Sequence, residues 1–99
     1  MDGPPFFTDE IRAIASGLRD DAHSHSHLNR AESRIDHLGR QLHGLGYVRH
    51  REIADAFTGA LRELAESHAL PEQTRAAAVN RAVAHLEAAL AAAAEGVTS

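Results

Sequence analysis

The apolar residues of this chain recur at the period of an α-helix. Between residues 28 and 45 they are spaced by 3, 4, 3, 4 and 3 positions, and between residues 79 and 97 by 4, 3, 4, 3 and 4 positions. This spacing places them along one stripe of a helix. Because β-branched residues are few and no apolar–polar alternation is long enough for a strand, the pattern predicts an all-α fold.

The same periodicity predicts four helices in one domain that covers residues 1–99. An N-terminal tail of residues 1–7 precedes helices at about residues 8–22, 28–45, 49–67 and 71–95. The first two apolar stripes do not share a register, so we expect a break between these helices rather than one long helix. Because the later connections are short, sequential helices should be antiparallel, as in a four-helix bundle or two helical hairpins.

Alanine dominates the apolar content and suggests a second chain. Hydrophobic residues make up 43% of the sequence, and 20 of them are alanine. Few bulky apolar side chains therefore remain to build the core of a monomer of this size. We expect self-association, as a homodimer, through the best apolar stripes, although the same residues would also serve as an intramolecular core. The interface residues predicted on this basis are Ile35, Leu38, Leu42, Val83, Leu86 and Leu90.

The residues that the chain lacks exclude several chemistries. It contains neither lysine nor cysteine, so it offers no Schiff-base amine, P-loop lysine or thiolate nucleophile. No Ser/His/Asp order or glycine-rich phosphate loop is present either, and the chain is therefore predicted not to be an enzyme. The formal net charge of −4 argues against non-specific binding to nucleic acid.

Histidine is concentrated in the segment Asp-Asp-Ala-His-Ser-His-Ser-His at residues 20–27. Imidazole and carboxylate groups are common ligands of divalent transition metals. Asp20, His23, His25 and His27 are therefore candidate ligands for zinc or nickel. The alternative is a polar linker between helices that binds no cofactor, because no second cluster of ligands occurs in the chain.

These observations favour a helical protein–protein interaction module, such as an adaptor, regulatory subunit or scaffold, that acts by burying a helix face. The alternative function is binding of a divalent metal by residues 20–27. A lesser alternative is a DNA-binding regulator, because Arg51 to Phe57 resembles the first helix of a helix-turn-helix, although no glycine-bearing turn follows Ala54. The chain has neither a signal peptide nor a membrane-spanning apolar run, so we expect a cytoplasmic location.

Overall fold

The computed structural model describes residues 5–21 and 24–97, with side chains from Phe7 onward. Their fold is all-α, as predicted. The helices are α1 (Pro5–Asp20), α2 (His25–Leu42), α3 (His50–Ser67) and α4 (Glu72–Ala93). The described residues contain no strand, and their only β-type pairing is an isolated antiparallel bridge between Tyr47 and Val97.

The break between α1 and α2 is confirmed, but both helices begin three residues earlier than predicted. α1 already includes Pro5. Proline suits the first helical turn, because the backbone N–H that it lacks would have no partner within the helix at that position. Thr8, the first residue of the predicted helix, therefore lies inside α1. Ser24 caps α2: its backbone is extended, and its Oγ accepts a hydrogen bond of 3.3 Å from the His27 N–H.

Glycines with positive φ follow the ends of α2 and α4. Gly46 has φ 70° and Gly96 has φ 85°, values that residues with a Cβ adopt only with strain. α2 ends at Leu42 and α4 at Ala93, respectively three and two residues before the predicted ends. Arg49 is the N-cap residue of α3, and its side chain forms no capping hydrogen bond.

Sequential helices run antiparallel. The contacts between neighbouring helices show this direction, because higher residue numbers on one helix meet lower numbers on the next. Gly17 and Glu10 of α1 contact His27 and Arg34 of α2, respectively. The helices form a ring in which each packs on two neighbours, and the contact between α3 and α4 is by far the most extensive. α2 packs least on its neighbours.

The core lies at the centre of this ring. Phe7 of α1 reaches across it, with ring centroids 5.3 Å from Tyr47 and 6.1 Å from Phe57. The apolar stripe of α1 is buried, as are most residues of the other stripes. The stripe of α1 consists of Phe7, Ile11, Ile14 and Leu18. Many core positions of α4 are alanines, whose small side chains let α3 and α4 approach closely. None of the described helices combines the length and apolar character needed to cross a membrane.

Candidate functional site

The residues predicted as an interface lie mainly inside the monomer. Five of the six are at most 4% exposed, whereas Leu90 is half-buried. Their apolar stripes face the other helices of the same chain, because antiparallel packing turns every stripe toward one core. These five side chains therefore offer little exposed surface to a partner. The buried residues are Ile35, Leu38, Leu42, Val83 and Leu86.

The residues predicted as metal ligands do not converge. His27 donates from Nε2 to the carbonyl oxygen of Gly17 at 2.9 Å, which joins α2 to the last turn of α1. His25 points instead toward α3, Asp20 is exposed at the end of α1, and His23 lies outside the described residues. Within residues 5–21 and 24–97, no three histidine or acidic side chains form a group that could hold a metal ion.

A different histidine cluster joins α2 to the end of α3. The Nδ1 atoms of His25 and His68 are 2.8 Å apart, and His68 Nε2 is 2.5 Å from Glu32 Oε1. His68 and Glu32 have side-chain exposures of 25% and 26%, respectively, so both are partly shielded from water. Sequence reasoning missed this cluster, because His68 is 43 residues from His25 and lies outside any repeated motif.

An open groove runs between α2 and α3, and we call it the α2–α3 groove. It has a volume of about 320 Å³. Its floor contains apolar side chains from both helices, and its rim carries polar and charged groups. The lining residues are Ile35, Asp36, Gly39, Arg40, His43, Ala54, Phe57, Thr58 and Leu61.

Gly39 helps to keep this groove open. A Cβ added at this position would lie 3.8 Å from Cδ2 of Phe57, an ordinary van der Waals distance. An alanine would therefore fit, whereas any larger side chain would extend into the groove. On the rim, Arg40 Nη2 is 3.1 Å from Asp36 Oδ2, and both side chains are more than half exposed.

A second depression, of about 340 Å³, lies on the α1–α2 face and includes Arg34, Leu38 and Glu10. Its most obvious recognition group is already engaged, because the Arg34 guanidinium contacts Glu10 Oε1 from Nε at 2.7 Å and from Nη2 at 2.5 Å. Binding of an anion by Arg34 would therefore compete with an ion pair within the chain, in which two guanidinium nitrogens contact the same carboxylate oxygen. The α2–α3 groove is the better candidate.

Comparison of the chain with protein-family models, with curated proteins and with solved structures gives no match.

Proposed function

We propose that the chain is a protein–protein interaction module that binds an amphipathic helix of a partner protein in the α2–α3 groove. The observation that carries this proposal is an open groove with an apolar floor between two antiparallel helices. Binding would remove the exposed parts of Ala54 and Leu61 from water, which is the main source of affinity in such grooves. No chemical step is involved.

The shape of the groove favours a helix as the bound segment. The groove follows the axes of α2 and α3, so a helix lying along it would place anchors at positions i, i+3 or i+4 on the floor. Its volume of about 320 Å³ accommodates a few apolar side chains rather than a folded domain. We expect leucine-sized anchors, because the floor offers aliphatic and aromatic surfaces but few buried polar groups.

The rim is suited to charges of both signs on the partner. Asp36 and Arg40 pair with each other across one helical turn, and their side chains are 55% and 79% exposed, respectively. An exposed pair of this kind contributes about 0.3–0.5 kcal/mol. It can therefore be exchanged at little cost for new pairs with a partner's lysine and glutamate.

A second copy of this chain is the alternative occupant. The alanine-rich composition that suggested a homodimer applies equally to a groove-to-groove contact between two copies. Light scattering at micromolar concentration separates the two possibilities. A dimer that dissociates when the groove is filled would assign the groove to self-association and not to a foreign helix.

The direct test compares Gly39→Phe with Gly39→Ala. Helical peptides would be selected from a display library against the purified chain, and their affinities measured for both variants. We expect Gly39→Ala to bind like the native chain. Gly39→Phe should lose more than about tenfold in affinity, or about 1.4 kcal/mol, because its ring occupies the groove.

Circular dichroism and thermal unfolding would establish that both variants keep the helical fold. The proposal fails if the selected peptides bind Gly39→Phe as tightly as Gly39→Ala. It also fails if selection yields no peptide that depends on apolar anchors at helical spacing.

A further inference from the structure

The histidine pair between α2 and α3 carries an inference independent of the groove. We propose that His25 and His68 bind one divalent transition-metal ion through their Nδ1 atoms, with Glu32 orienting the His68 ring. This site differs from the one expected in residues 20–27, because it uses a residue from the end of α3 and excludes His27.

The two rings meet edge to edge and not face to face. Their planes differ by only 18°, but their centroids are 5.1 Å apart and their Nδ1 atoms are 2.8 Å apart. The centroid separation is close to the Nδ1 separation plus the distance from each nitrogen to its own centroid. Both nitrogens therefore lie between the rings and face each other, as in an N–H···N hydrogen bond.

Glu32 determines which nitrogen of His68 is available. Its carboxylate accepts a hydrogen bond from His68 Nε2 at 2.5 Å, which places the proton on Nε2. The Nδ1 atom of neutral His68 therefore presents a lone pair toward His25. Metal-binding histidines commonly have this arrangement, with a carboxylate bound to the nitrogen that does not face the ion.

A metal ion can take the place of the proton between the rings. In neutral His25 this proton is on Nδ1. When it exchanges through water to Nε2, both Nδ1 lone pairs become ligands and no net proton is released. Two nitrogens bound to one ion at about 2.0–2.1 Å would be about 3 Å apart at a right-angled geometry. The observed separation is 2.8 Å, so the rings must mainly rotate to bring both lone pairs onto the ion.

The partial exposure of the site permits this rotation and leaves room for water. His25 is exposed and His68 has a side-chain exposure of 25%. With two protein ligands, the ion keeps its remaining positions for water or for an added ligand. This is consistent with the absence of a three-ligand group among the described residues. Affinity should follow the order Cu²⁺ over Ni²⁺ and Zn²⁺, as expected for imidazole ligands.

The test is titration of the untagged chain with CuSO₄, NiCl₂ or ZnCl₂ alone, followed by calorimetry. We expect one equivalent of Cu²⁺ to bind, and His25→Ala and His68→Ala each to lose at least about tenfold in affinity. Glu32→Gln should weaken binding by about 10–100-fold, although its side chain does not contact the ion. His37→Ala is the matched control, because His37 is also on α2 but pairs with Gln41 of the same helix and not with α3.

A second measurement covers the possibility that a variant loses its fold. In the native chain, imidazole ¹⁵N resonances should shift or broaden on metal addition at Nδ1 of His25 and His68. The proposal is overturned if His68→Ala, still helical, binds metal as tightly as the native chain. It is also overturned if affinity is lost only in a His23→Ala/His27→Ala variant, which would assign binding to residues 20–27, or if no stoichiometric metal binds.

Discussion

Tyr47 is a polar residue placed in an apolar part of the core. Its side chain is 4% exposed, and its ring packs against Phe7. Among the described residues, no group forms a hydrogen bond with its hydroxyl. Burying a hydroxyl without a partner costs about 1–3 kcal/mol. The residue therefore contributes packing through its ring and loses stability through its oxygen.

We predict that Tyr47→Phe stabilises the fold. The substitution keeps the ring and removes the unpaired hydroxyl, so the free energy of unfolding should rise by about 1 kcal/mol. Urea unfolding followed by circular dichroism measures this difference. A loss of stability would show that the hydroxyl has a bonding partner in solution.

Tyr47 should also make stability sensitive to alkaline pH. Burial raises the pKa of its phenol, so the folded chain holds this proton more tightly than the unfolded chain. This difference in pKa leaves the free energy of unfolding unchanged below the pKa of the unfolded chain, about 10. It lowers the free energy of unfolding as the pH rises through the pKa of the folded chain. Because the chain has a single tyrosine and neither lysine nor cysteine, no other side chain titrates near this pH. The decline should disappear in Tyr47→Phe when both proteins are unfolded by urea across this range.

Gly59 accommodates a histidine from the neighbouring helix. A Cβ at this position would lie 2.7 Å from Cε1 of His85, closer than real side chains approach. Alanine normally favours a helix interior by about 1 kcal/mol over glycine, but at residue 59 it would require the His85 ring to move aside. Gly59 therefore leaves space in α3 for this ring.

A double-mutant cycle tests this contact. Gly59→Ala should stabilise the native chain by less than about 1 kcal/mol, because the His85 ring must be displaced. In a His85→Ala background it should stabilise the fold by the full value of about 1 kcal/mol, because only the helix propensity remains. The coupling energy between the two sites should therefore be about 0.5 kcal/mol or more. Additive effects in chemical denaturation would contradict the close contact.

At the scale of single helices, α4 distinguishes core residues from surface residues. Leu86 is fully buried, whereas Leu90, one turn later, is only half-buried. Periodicity alone assigned both to one stripe, because 3- and 4-residue steps do not separate the centre of a stripe from its edge. The buried positions Leu86, Ala89 and Ala93 form the centre of this stripe, and Leu90 lies at its edge.

We predict that Leu86→Ala and Leu90→Ala lower the free energy of unfolding by different amounts. Leu86→Ala should lower the free energy of unfolding by about 2–5 kcal/mol, because it leaves a cavity in the core. Leu90→Ala should cost clearly less at low protein concentration. If its cost increased with protein concentration, Leu90 would belong to an interface between copies. Thermal unfolding over a hundredfold range of concentration makes the comparison.

The start of α2 shows why helix ends were predicted less well than helix centres. Periodicity predicted that this helix begins at about residue 28, but Ser24 caps it and α2 begins at His25. Several polar residues near a break can cap a helix, and their local preferences differ little. The capping residue is selected by tertiary contacts such as that of His27 with Gly17.

At the scale of the whole molecule, the four helices are unequally attached. α3 and α4 form a closely packed hairpin, whereas α2 packs least on its neighbours. Its polar attachments are partly exposed, and exposed ion pairs contribute little to stability. Local opening is expected where buried apolar contacts are fewest.

Native-state hydrogen exchange should therefore give a lower opening free energy for α2 than for α3 and α4. We expect the backbone amides of α2 to exchange through a partial opening of lower free energy than those in the centres of α3 and α4. The measurement is amide exchange by NMR at increasing, sub-denaturing urea concentrations. Equal opening free energies in all four helices would indicate a single cooperative unit and contradict this prediction.

The sequence alone determined that the chain is helical, how many helices it has and which face of each helix is apolar. These properties depend on residues three or four positions apart, so local periodicity carries them. Only the tertiary structure decided that the apolar stripes of α2 and α4, which include Ile35 and Leu86, are internal. Periodicity could not decide this, because a core and an interface require the same residues. It also decided that His25 meets His68 and that Gly39 opens the α2–α3 groove. Such contacts join residues far apart in the chain and depend on the register of packed helices, which no local pattern encodes.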